Sequence, residues 1–159
     1  MFGRFPLHPD QVFYTSESGL SLGIVNICPT IPGHVLVIPR RVVPRLADLT
    51  LMEVTDLFSS VQRIGKVVEK HNEGCTSLTV TLQDGPQAGQ TVQHVHVHVL
   101  PRKAGDFRRN DEVYEALHDM DLEHQFHAHT YPTPPSIPGK RRTIEEMAEE
   151  AKALKAHTF

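Results

Sequence analysis

The sequence predicts an α+β fold, an antiparallel sheet with one long helix packed on one face. Three observations carry this. Histidine and valine alternate strictly from His94 to Val99, the period of two that a strand imposes on its side chains. Two apolar runs near the N-terminus, Gln11–Ser16 and Leu20–Cys28, are parted by Glu17-Ser18-Gly19, where Gly19 suits a hairpin turn or bulge. One stretch repeats its apolar residues at helical steps: Val54, Leu57, Phe58, Val61, Ile64, Val67 and Val68. At 159 residues the chain is one domain, residues 1–159, large enough to bury a core.

The remaining elements follow in order. Asn26 is a polar interruption near the end of the second run, suited to an edge position or to a ligand contact. Pro29-Thr-Ile-Pro-Gly33 punctuates the chain. His34–Pro39 then reads as a short buried strand. A lone His such as His34 ordinarily serves there as a hydrogen-bonded core residue. Thr50-Leu-Met-Glu53 is a capping box opening the long helix, and Gly74 is its expected stop. Thr76–Gln83 is rich in β-branched residues and reads as a strand, Asp84–Gln90 as a Gly/Pro loop, and Thr91–Leu100 as the His/Val strand, closed by Pro101. Gly85 and Gly89 let backbone amides turn inward as an anion-binding nest beside the histidines. Asn110–Asp119 reads as a short helix. Five residues, Pro132, Pro134, Pro135, Pro138 and Gly139, make about 120–142 a Pro-rich arm, with His124, His127 and His129 near its start read as solvated. A final helix, about 143–156, is capped by Thr143 and carries a narrow apolar stripe of Met147, Ala151 and Leu154.

Composition narrows the function. Sixteen Lys and Arg against nineteen Asp and Glu give a net charge of −3, which disfavours bulk nucleic-acid binding. A small anion held by a few local donors is compatible with it. Cys28 and Cys75 form neither a disulfide framework nor a Cys-x-x-Cys pair and suit a reducing compartment. There is no apolar signal region and no run of 18 apolar residues, so the expectation is a soluble cytoplasmic protein without membrane contact.

The alternation puts Val95, Val97 and Val99 on the core side and His94, His96 and His98 in a row on the other, neighbours about 6.5–7 Å apart. Such a row repels itself when protonated and is costly to bury unpartnered, so it reads as a site. Three chemistries use clustered imidazoles. A single metal, with Zn–N bonds near ~2 Å, cannot reach all three residues of a row spanning about 13–14 Å without a sharp bend. General acid–base work on a water needs one or two histidines. A nucleophilic histidine attacking phosphorus uses all three, and accounts for a nest beside them.

His94-Val-His-Val-His98-Val-Leu resembles the histidine-triad (HIT) superfamily pattern. The resemblance extends through Gln83-Asp-Gly-Pro-Gln-Ala-Gly-Gln-Thr91, His94 to Asp111, Pro32-Gly-His-Val-Leu-Val37 and Thr143 to Ala151, which are similar to the Fhit branch. The Leu-Pro-Arg-Lys-Ala-Gly-Asp-Phe tail and the absence of Trp separate it from HINT-like proteins. His98 stands where the nucleotidyltransferase branch carries Gln, which favours water as final acceptor. The resemblance implies a HIT-like homodimer that hydrolyses diadenosine triphosphate to AMP and ADP. By that resemblance His96 is the nucleophile, its tautomer fixed by the backbone carbonyl of His94. His98 contacts the α-phosphate and scissile oxygen, and His34 supports the triad from behind. Asn26 contacts ribose, Gln83 and Gly89, Gln90, Thr91 and Val92 cradle the phosphates, and His8, within Arg4-Phe5-x-x-His8, lies against the substrate. No cofactor or metal is expected on the protein, although a divalent cation can accompany the substrate. The alternatives are a HINT-like phosphoramidase, a nucleotide-binding signalling module with slow hydrolysis, and a zinc protein.

Overall fold

A computed structural model describes residues 1–118 and 141–159. Most of the proline-rich arm, with His124, His127 and His129, lies outside the described residues. Five strands, β1 (Val12–Thr15), β2 (Ser21–Val25), β3 (Val35–Pro39), β4 (Ser77–Leu82) and β5 (Val97–Arg102), form one antiparallel sheet in the order β1-β2-β3-β5-β4. Helix α1 (Leu51–His71) crosses one face of it, and α2 (Ile144–Lys155) packs on β1 and β2. Residues 112–118 are helical and cover Leu100 with Val113 and Leu117. No helix among the described residues is long and apolar enough to cross a membrane.

The capping box forms as read. Thr50 Oγ1 accepts from the Glu53 amide while Glu53 Oε2 accepts from the Thr50 amide. Arg41 adds a two-pronged contact to the same carboxylate, at 2.7 and 2.8 Å. Together these hold the Glu53 carboxyl down at about 2, with the Arg41 hydrogen bond the leading cause. The buried stripe of α1, Leu57, Val61, Ile64 and Val68, meets Val25, Val35, Val37, Val95, Val97 and Val99 in the main core. Burying each such side chain contributes about 1.5–3 kcal/mol. The valines of the alternating stretch therefore do face the core.

Three boundaries differ from the sequence reading. Thr91–Leu100 is not all strand: β5 begins only at Val97. Beyond the Val37–Val97 pair, Pro39 has no amide to offer β5, and its carbonyl is taken by the His94 side chain instead. Val95 bonds to the Val43 carbonyl. Nor does Pro101 end the strand. The β3 partnership stops at Val35–Val99, so Pro101 and Arg102 pair only with β4, where the missing amide is tolerated. Helix α1 ends at His71, three residues before Gly74, which takes the left-handed conformation in the following turn (φ 76°).

The candidate active site

The histidine row does not lie on an open face. His94, His96 and His98 are 0%, 3% and 1% exposed, and His34 beside them 0%. The N-terminal segment covers His94 and His96. Phe2 and Phe5 exchange two backbone hydrogen bonds around Gly3 (φ 54°), and the turn sets the Phe2 ring edge-on to His96 with centroids 5.2 Å apart. Phe2 and Leu7 also close an apolar strip of Ile24, Leu36 and Ile38 on the sheet face opposite α1. The sequence reading missed this cover, for which the glycine inside Phe-Gly-Arg-Phe was the available signal.

Buried imidazoles are affordable here because backbone groups of fixed polarity partner them. An amide can only donate and a carbonyl only accept, so each partner dictates a tautomer. His94 Nδ1 accepts from the Gly3 amide at 3.1 Å and its Nε2–H donates to the Pro39 carbonyl at 2.9 Å. This His94 is neutral, and burial pushes its pKa down. His34 Nδ1 accepts from the Thr30 amide at 3.2 Å, which places its proton on Nε2. That Nε2–H then donates to His98 Nδ1 at 3.0 Å, leaving the His98 proton on Nε2. His96 is the inverse case. Its Nδ1–H donates to the His94 carbonyl at 2.6 Å, so in the neutral ring the lone pair lies on Nε2. The rings of His96 and His98 are 5.0 Å apart. The site thus sets a basic nitrogen on His96 beside an N–H donor on His98.

Asn26 is buried at the exit of β2. Its Oδ1 accepts from the Cys28 amide at 3.0 Å and its Nδ2 lies 3.4 Å from His34 Nε2. Since that His34 nitrogen already carries the proton directed at His98, we assign the Asn26 approach as contact.

The loop after β4 is held at its base. Arg45 grips Asp84 at 3.0 and 3.1 Å, and the Leu46 amide donates to the same carboxylate at 2.9 Å. The Asp84 pKa falls, with the Arg45 hydrogen bond its main cause. Gly85 and Gly89 take positive φ, 106° and 91°, around the 3-10 turn Pro86–Ala88. At Gly89 the requirement is spatial too, because an added Cβ would sit 2.6 Å from Gln83 Nε2. The Gln83 amide therefore lies against Gly89, and its Oε1 is buried and accepts no hydrogen bond among the described residues. Gln90 turns its side chain to structure: Oε1 accepts from the Gly85 amide and Nε2 donates to the Pro44 carbonyl, both at 2.8 Å. Thr91 is half-buried, and buried Val92 supplies the carbonyl that accepts from the His94 amide at 2.7 Å. The hydrogen bonds of His8 stay within its own turn, where its Nδ1 accepts from the Asp10 amide and its amide donates to Gln11.

The pattern of a HIT domain matches residues 7–105. The chain belongs to the HIT family. Within it, a bifunctional bis(5'-adenosyl)-triphosphatase/adenylylsulfatase FHIT of Arabidopsis thaliana is 47% identical over 153 residues, covering 94% of this chain and 79% of that protein. A bis(5'-adenosyl)-triphosphatase of Dictyostelium discoideum is 50% identical over 73% of this chain and 76% of its own length. Among solved structures, the Caenorhabditis elegans NitFhit protein superposes with a TM-score of 0.73 at 39% identity, over 98% of this chain and 29% of that one. Plasmodium falciparum diadenosine triphosphate hydrolase, in complex with cyclomarin A, gives 0.73 at 28% identity, over 98% and 81%. This HIT chain is similar to the Fhit-like branch over nearly its whole length.

Proposed function

We propose that this protein hydrolyses diadenosine triphosphate and related dinucleoside polyphosphates, yielding AMP and ADP, through a nucleotide bound covalently to His96. The inverted tautomers of His96 and His98 carry this reading. His96 Nε2 attacks the α-phosphorus, forming an N–P bond as the P–O bond to the departing ADP breaks. The His98 Nε2–H donates to the leaving oxygen. Water then attacks the same phosphorus, the N–P bond breaks, AMP leaves and His96 regains its lone pair, with one proton released to solvent. Splitting one displacement into two eases attack on a charged phosphate, and a preorganised donor such as His98 contributes about 2.7–4 kcal/mol.

Binding is assigned to Asn26 for a ribose and to Gln83 with the backbone of Gly89–Val92 for the phosphates. The Gln83 Nε2 donor beside Gly89 and the positive-φ backbone of Gly85 and Gly89 support this. For Gln90 we assign the backbone, since its side chain staples the loop. His8 is kept as a peripheral contact. A divalent cation is assigned to the polyphosphate and not to the row, because both His94 nitrogens are already engaged. We assign a homodimer contact to β4, a sheet edge, a reading supported by Val80, which is 46% exposed there. Cys28 and Cys75, which form no disulfide among the described residues, support a reducing, cytoplasmic setting.

The test is a product assay in ¹⁸O-labelled water. The expected result is AMP carrying the label and unlabelled ADP from the triphosphate. Label in ADP would place the attack at another phosphorus. Rates on an adenosine phosphoramidate well above those on diadenosine triphosphate would favour the HINT-like activity instead.

A further inference from the structure

An arginine immediately before a helix N-terminus opposes the helix dipole, and Arg142 occupies that place ahead of the Thr143 cap of α2. Its position is explained by what it reaches. The β2–β3 ladder ends at Val25–Val35, which leaves the next carbonyls without strand partners. Arg142 takes both. Its amide donates to the Ile27 carbonyl at 2.8 Å, and its guanidinium donates to the Asn26 carbonyl through Nε at 3.0 Å and again through Nη2. Nη1 pairs with Glu150 on α2, and both side chains are largely buried, at 17% and 16% exposed. The guanidinium thus spends two donors on one carbonyl and is itself fixed by a carboxylate. This sets the Asn26–Ile27 peptide plane, and with it the direction in which the Asn26 side chain leaves the backbone beside His34 and His98.

We infer that Arg142, oriented by Glu150, is a positioning residue for substrate binding, acting through Asn26. The inference rests on the assignment of Asn26 to the substrate. Charge-assisted hydrogen bonds of this kind are strong, so their loss is felt where Asn26 does its work, in binding more than in chemistry.

The test uses the full-length protein and diadenosine triphosphate, with Arg142→Ala, Arg142→Lys, Glu150→Gln, Asn26→Ala and the double variant Arg142→Ala/Asn26→Ala. Arg142→Ala is expected to raise KM by about tenfold while kcat stays within roughly threefold. Lysine restores part of the loss, since it can donate to the carbonyl without the fork. Glu150→Gln keeps a hydrogen-bond acceptor and is expected to show a smaller KM increase of the same kind. In the double variant KM should equal that of Asn26→Ala within about twofold, because a residue acting through another adds nothing once that other is gone. KM effects that multiply in full would overturn the inference, as would a folded Arg142→Ala or Glu150→Gln protein with lowered Tm and unchanged KM. If Asn26→Ala itself leaves KM unchanged, the assignment of Asn26 fails and the inference with it, an outcome distinct from Asn26→Ala raising KM while Arg142→Ala does not. Should Arg142→Ala not fold, Arg142→Lys and Glu150→Gln decide alone: an unchanged KM in both overturns the inference.

Discussion

Replacing His34 by leucine tests whether the Thr30–His34–His98 chain sets the polarity of the site. His34 is fully buried, and both its nitrogens are used, by the Thr30 amide at 3.2 Å and by His98 Nδ1 at 3.0 Å. Leucine removes the acceptor from one and the donor from the other. Each loss costs about 1–3 kcal/mol, so the variant should be about 2–6 kcal/mol less stable, against a typical total of ~5–15 kcal/mol for a folded domain. The catalytic effect is separate. With no donor at Nδ1, His98 is free to hold its proton there and turn a lone pair toward the leaving oxygen. Loss of one preorganised donor lowers kcat about 10²–10³-fold. His34→Gln keeps an N–H donor of similar reach and should hold kcat within about tenfold of wild type, a difference of ~1.4 kcal/mol. The assay is steady-state hydrolysis of diadenosine triphosphate at 15 °C, with circular dichroism confirming the fold. A folded His34→Leu protein with kcat within about threefold of wild type, under ~1 kcal/mol, would refute the reasoning.

Gly89→Ala should weaken binding of a non-hydrolysable analogue, because φ at 91° strains any side chain and the new Cβ meets Gln83 Nε2 at 2.6 Å. Backbone strain of this kind costs about 1–3 kcal/mol, and isothermal titration reads how much of it reaches Kd. In Glu53 the folded pKa, about 2, lies below its ordinary 4.5. A depressed carboxyl pKa stabilises the fold above the unfolded value and loses that contribution as pH falls toward the folded one. Urea midpoints should therefore fall between about pH 5 and pH 2 in the wild type, and Glu53→Gln should flatten part of that slope. His94→Gly should be milder than loss of His96, since the carbonyl that His96 grips at 2.6 Å belongs to the backbone and survives the change. Single-turnover kinetics separates the two.

Much of this architecture was legible because local rules and tertiary packing agree. Thr50 and Glu53 announce a helix start that the fold uses, and the valines of the alternating stretch go to the core as a period of two requires. The strand limits were not legible, since they depend on partners distant in sequence: β5 starts late because of Pro39 and runs past Pro101 because β3 has already ended. At the site, the residue types, the row and, by resemblance, the tautomer of His96 were readable, but the electrical character of His94, His34 and His98 was not. Whether those buried imidazoles offer a lone pair or a proton is decided by backbone groups of Gly3, Thr30 and Pro39, which have no signature in side-chain identity. The use of the Gln90 side chain was not legible either: it bonds the Gly85 amide and the Pro44 carbonyl, contacts set by the loop's own folding.

The central claim is that His96 Nε2 becomes bonded to phosphorus during turnover. It is tested most directly by quenching the wild type with labelled diadenosine triphosphate in alkaline denaturant and following the label on the protein. The account predicts a labelled nucleotide that is stable in alkali, released by mild acid and mapped to the peptide carrying His96, with none on His96→Gly. That variant should lose several orders of magnitude in kcat while its Kd for a non-hydrolysable analogue moves by less than about tenfold. A His96→Gly protein that keeps more than about a tenth of wild-type kcat, a loss of at most ~1.4 kcal/mol, would contradict it.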